Sequence, residues 1–180
     1  MIIKKLLFLK MEVLIFKTSF CIKKDNLNII LMVKTMNENN ELALYIYKNA
    51  DMGVKATTKL IKLLNNSDNK IKNIVEGELK GYENFLKKSK TYLKKNKISP
   101  KTNSIIAEIS SYIGMNLEFM KDNSDAKIAD ILIRGFTMGN IEIDKKIDKY
   151  KCDADKSLIK LAKELKKFGE ENIELLKPYL

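Results

Sequence analysis

The chain is 180 residues long, with 45% apolar and 32% charged residues and a formal net charge of +11. That size suits one domain with a sizeable core. It contains no histidine and no tryptophan, which excludes histidine general-base catalysis, Ser-His-Asp and Cys-His systems, and any metal site that needs imidazole.

Residues 1–35 hold seven lysines against Glu12 and Asp25, and read "MIIKKLLFLKMEVLIFKTSFCIKK" at the start. A basic beginning and apolar middle resemble a signal peptide, but Lys10 and Glu12 interrupt the apolar run and no small-residue cleavage site follows. The uninterrupted runs are too short to span a bilayer. The reading is an extension at 1–35, with the native start near Met36 and a single helical domain over 36–180. A membrane partner enters only if residues 1–24 are genuine.

From residue 36 onward, clusters of Asn, Asp, Ser and Pro punctuate the chain at 65–69, 96–104, 121–125 and 151–155. These residue types favour turns and helix N-caps. They mark out five segments near 38–64, 68–97, 103–120, 125–150 and 155–178, each with helical periodicity. The expected core stripes are Ile46/Ala50/Gly53/Thr57/Leu60/Leu64, then Val75/Leu79/Tyr82/Leu86/Leu93. In the fourth segment the stripe is Ile128/Leu132/Gly135/Gly139/Glu142, and in the last Leu158/Leu161/Leu165/Phe168/Asn172/Leu175/Tyr179. Long antiparallel helices with short turns make a bundle.

An internal repeat adds to this. Met52-Gly53 aligns with Met138-Gly139, and "ELKGY" at 78–82 with "ELKKF" at 164–168, both at an offset of 86 residues. The expected architecture is all-α: two helical hairpins joined by a long crossover that contains a fifth, shorter helix.

Two hairpins related in this way look like the ferritin-like architecture. The strings "YKNADMG", "AKIADILIRGFTMGNIEIDKKI" and "ENIELLKPYL" resemble small ferritin-like proteins of low-GC, often spore-forming bacteria. The resemblance covers nearly all of 38–180 and none of 1–35. It implies a candidate carboxylate set, because ferritin-like iron proteins place Glu and Glu-x-x-His ligands on facing helices. The candidates here are Glu78, Glu142 and Glu164. Gly81 and Lys167 stand where the histidines would be, and Ala56 is the repeat position of Glu142. Such a set suits Fe or Mn weakly. The primary expectation is no cofactor and no catalytic residue.

Glycine in a helix interior costs about 1 kcal/mol relative to alanine, so the helical glycines call for a reason. Gly53, Gly135 and Gly139 project to the centres of their stripes and are read as close helix-packing positions. Gly77 and Gly81 project away from their stripe and are read as a flat interface for the crossover or a second subunit.

The positive charge gathers at 1–35 and at 87–101, where seven lysines stand without an acid. With Arg134 the only arginine, bidentate reading of phosphates or bases has little to work with, and nucleic acid is not the expected partner. Cys21 and Cys152 lack metal-type spacing and read as reduced thiols of a cytoplasmic protein. The function expected is association, with a second copy or a protein partner, and the alternative is a degenerate carboxylate metal site.

Overall fold

The computed structural model describes residues 2–64, 68–100 and 124–180, with side chains from Met32 onward except at position 37. Among the described residues every regular element is helical. They are α1 (Ile2–Leu64), α2 (Lys72–Lys95), α3 (Asp125–Tyr150) and α4 (Lys156–Leu176), closed by a 3-10 turn at Lys177–Tyr179. The fifth helix expected over 103–120 lies outside the described residues. No helix among them is long and apolar enough to cross a membrane.

Contacts divide the chain into two units, Met1–Asn37 and Glu38–Leu180. The first belongs to α1, and its Met32, Val33 and Met36 are exposed. The helix start expected just after Met36 is not present, since α1 continues through it. No glycine precedes Gly53 and no proline precedes Pro100, so nothing there breaks a helix once it has formed.

In the second unit all four helices share two apolar clusters. One joins Leu42 and Ile46 of α1, Phe85 of α2, Ile147 of α3 and Leu158 of α4. The other joins Leu64, Val75, Ile128, Phe136 and Leu176. Each such side chain contributes about 1.5–3 kcal/mol on burial. The bundle is therefore held by its interior, as short helices in water must be.

The α1 stripe is buried largely as the periodicity predicts, through Ile46, Ala50, Gly53, Thr57 and Leu64. The others are rotated from the prediction by about one residue. In α2 the buried set is Val75, Glu78, Phe85, Ser89 and Leu93. In α3 it is Ile128, Ala129, Phe136, Ile143, Ile147 and Tyr150, which leaves Glu142 outside. In α4 it is Leu158, Ala162, Leu165, Gly169, Asn172 and Leu176.

Polar ties fasten both ends. At the end where α3 runs into α4, fully buried Tyr150 donates its hydroxyl to the Glu41 carboxylate. Lys149 stands 3.5 Å from the same carboxylate. The Tyr150 hydrogen bond, more than the lysine, holds the Glu41 carboxyl below its usual range. Asn39 accepts from the Asp155 amide at 2.7 Å, and Asp155 accepts from the Tyr92 hydroxyl at 2.9 Å. At the other end Asp125 accepts from Asn69 at 2.8 Å and from the Lys70 amide at 3.0 Å, while Ser124 caps α3 by accepting from Lys127 N at 3.3 Å. Removing one charge-assisted bond of this kind costs about 1.5–3 kcal/mol. Tyr150→Phe should lower stability in urea melts by roughly that amount and leave helicity unchanged. An unaltered midpoint would mean that water replaces the bond without loss.

Candidate functional site

Three glycines let side chains from a neighbouring helix reach the backbone. A Cβ at Gly53 would stand 2.4 Å from the Tyr82 ring, and one at Gly81 would stand 2.2 Å from the Phe168 ring. One at Gly169 would stand 2.3 Å from the Asn140 amide. The amide, oriented to satisfy both its ends, donates to the Lys166 carbonyl at 3.2 Å and accepts from Glu170 N at 3.3 Å. Tyr82 stacks on Phe136 with centroids 5.9 Å apart and meets Phe168 edge-on at 5.1 Å. Phe136 and Phe168 meet at 5.8 Å, edge-to-face. These rings form one aromatic layer across α2, α3 and α4, resting on α1 through Gly53.

One turn beyond that layer the interior becomes polar. Because Tyr82 rests on Gly53 and Phe168 on Gly81, the antiparallel register brings Thr57, Glu78 and Asn172 to the same level of the bundle. All three are buried. Thr57 donates its hydroxyl to the Gly53 carbonyl at 2.7 Å, and Asn172 donates its amide to the Phe168 carbonyl at 2.7 Å. Glu78 is 0% exposed, and among the described residues neither carboxylate oxygen has a hydrogen-bond partner. Burial alone pushes its carboxyl up to about 8, since a charge without a counter-charge is disfavoured in a poorly polarisable interior. At neutral pH Glu78 is thus mostly a neutral carboxylic acid. It can donate a hydrogen bond or release a proton, two capacities that an ionised surface glutamate lacks.

The three carboxylates singled out from the sequence are not brought together. Glu142 is exposed and pairs with Lys145 at 2.7 Å; that pair holds its carboxyl below the usual range. The inward position expected for it is corrected, because the α3 stripe turns on Ile143. Glu164 is partly exposed and pairs across to Lys88 of α2 at 3.1 Å. Only Glu78 is interior. Among the described residues no three acidic or thiol side chains are grouped closely enough to hold a metal ion.

The glycine expectations also divide. Gly53 is buried at a close contact, but a Cβ at Gly139 would meet only the Asn49 amide, at an ordinary 3.5 Å. Gly135 and Gly139 are half-buried on the flank of α3 and not at its centre. Among the described residues, then, nothing packs tightly on Gly139. Gly139→Ala should melt at or slightly above the parent, by up to about 1 kcal/mol of helix propensity. A clear loss in a denaturant melt would restore the crowded reading. Gly81, expected on a flat outer face, instead receives Phe168 of α4. Gly77 is exposed with no described atom within 4 Å of its would-be Cβ.

One open feature of the described surface is a groove of ≈ 380 Å³ between the C-terminal half of α2 and the N-terminal half of α4. Tyr92, Leu158 and Leu161 line it, with Lys88, Lys95 and Lys160 around them. Sequence periodicity marked Leu161 as core; the structure leaves it half-buried at the groove. No protein-family model, curated protein or solved structure matches the chain.

Proposed function

We propose that this chain is a non-catalytic helical bundle that works by association with another polypeptide, either a partner or a second copy. The observation that carries the reading is the α2–α4 groove, where Tyr92 and Leu161 stay part-exposed between two helices among the described residues. Helix-on-helix grooves of this kind accept a further helix by packing side chains into the gap. Further exposed apolar side chains, Met138 and Ile141 on α3 and Leu175 on α4, offer secondary contact.

The same proposal includes the finer architecture, a ferritin-like pair of related hairpins with a fifth helix in the crossover. The burial pattern supports it. Leu42, Ala43, Ala50, Thr57 and Leu64 of α1 recur 86 residues later as Ile128, Ala129, Phe136, Ile143 and Tyr150, all buried. In the second helices the buried set recurs at 87 residues: Ile71, Val75, Glu78, Phe85 and Ser89 against Leu158, Ala162, Leu165, Asn172 and Leu176. By burial, then, Glu78 answers to Leu165 and not to Glu164. The exposed, unpaired thiol of Cys152 fits a reducing, cytoplasmic setting.

The test uses a photo-crosslinking phenylalanine analogue at exposed Thr91, on the groove, in the full chain expressed in cells. A covalent adduct to a polypeptide, absent when the analogue replaces Lys80, is expected. A monomeric native mass together with no adduct at Thr91 would overturn the association reading.

A further inference from the structure

Charge distinguishes the α2–α4 groove from the rest of the surface. Between Phe85 and Lys95, α2 carries five lysines and no acid. Glu164 is the single acidic residue lining the groove, and it is committed to Lys88 at 3.1 Å. Lys95 and Lys160 have no acidic partner among the described residues. Asp155, just before α4, accepts from Tyr92. That bond fixes the tyrosine whose ring forms part of the floor. The result is an apolar floor with an uncompensated cationic rim.

We propose that the groove binds an acidic amphipathic helix of a partner protein. Resting on the association reading above, this assigns the chemistry of the occupant. Large apolar side chains on one face of that helix cover the exposed parts of Tyr92 and Leu161, with buried Leu158 beneath them. Carboxylates flanking that face meet Lys95 and Lys160, and shift the on-rate more than the final affinity because they are exposed. A second copy of this chain is disfavoured by like charge, since both copies would bring lysine rims together. Nucleic acid would use the lysines but leave the apolar floor without a role, and the chain's one arginine, Arg134, is on α3 and bound to Asp130 at 2.8 Å.

The probe is a designed glutamate-rich peptide of about 20 residues, long enough to form a helix, with leucines at three- and four-residue spacing. It is titrated into the full-length protein while backbone amide signals are followed. Signals of residues 88–95 and 157–164 should move. The Lys95→Glu/Lys160→Glu variant should bind about tenfold or more weakly, as should Leu161→Gln, and a peptide twin with glutamine for leucine should lose a similar factor. Both protein variants are first checked for parental helicity; the charge reversal, on exposed residues, carries the test if Leu161→Gln unfolds. Equal binding by the leucine-free twin, or by a single-stranded oligonucleotide of equal charge, would overturn the proposal in favour of a plain polyanion site. Absence of shifts at the groove would also overturn it. A Thr91 cross-link obtained in that case would leave association standing with an occupant of different chemistry.

Discussion

Replacing Glu78 with leucine should stabilise the bundle, and the gain should grow as pH rises. Most core substitutions destabilise, so the sign alone is diagnostic. Glu78 is fully buried in the α2 stripe and has no hydrogen-bond partner among the described residues. On the repeat proposed above, the matching position in α4 is the buried Leu165, which is why leucine is the replacement chosen. A neutral, buried carboxyl that makes no hydrogen bond costs about 1–3 kcal/mol. Leucine removes that cost and adds its own transfer free energy.

The pH dependence follows from linkage. In the folded state the Glu78 carboxyl is pushed up to about 8, against 4.5 ordinarily. Between those values the folded chain holds a proton that the unfolded chain has released, so stability falls as pH rises. The favourable contribution of the protonated form is complete below about 4.5 and is lost as pH rises through 8. At about 1.4 kcal/mol per unit, the loss approaches 5 kcal/mol, an order-of-magnitude figure. Urea melts of parent and Glu78→Leu at pH 5, 7 and 8.5 should show the two curves diverging over that window. Parallel curves, or a Leu variant weaker at every pH, would mean that the carboxyl has a folded-state partner and that its burial is compensated.

The helical class and turn positions were legible in the sequence because Asn, Asp and Ser clusters stop helices for local reasons. Core facing was less legible. By apolarity and spacing Leu79, Leu86, Leu161 and Leu175 belong to the centre stripes, yet they sit half-buried or exposed on the flanks. The centre of α4 includes Ala162 and Gly169, small residues that a hydrophobic count passes over. Where helices approach closely there is room for small side chains only, so the middle of a stripe looks weak while its shoulders look strong. For the same reason apolarity alone places Glu142 in the α3 stripe, whereas the structure leaves it exposed beside Lys145. Glu41 could not have been paired with Tyr150 by any local rule, since 109 residues separate them.

The second large effect concerns Gly53 and Gly81, and it tests the aromatic layer directly. Alanine at either site gains up to about 1 kcal/mol of helix propensity, so an isolated helix would be stabilised. In the bundle the new methyl at Gly81 would stand 2.2 Å from the Phe168 ring, and at Gly53 2.4 Å from the Tyr82 ring. Phe168 cannot swing aside freely, because it contacts Tyr82 at 5.1 Å, Phe85 at 5.5 Å and Phe136 at 5.8 Å between centroids. Crowding of this kind costs about 1–3 kcal/mol, and it wins over propensity because the interior is close-packed and has no slack to give. Gly53→Ala and Gly81→Ala should therefore each melt below the parent. Gly77→Ala, with open space over it, should melt slightly above. Truncating the ring is the decisive control: in a double-mutant cycle, Phe168→Leu should relieve most of the cost of Gly81→Ala and none of the cost of Gly139→Ala, if there is any. If Gly81→Ala melts above the parent like Gly77→Ala, Phe168 does not rest on Gly81, and the register that places Asn172 level with Glu78 falls with it.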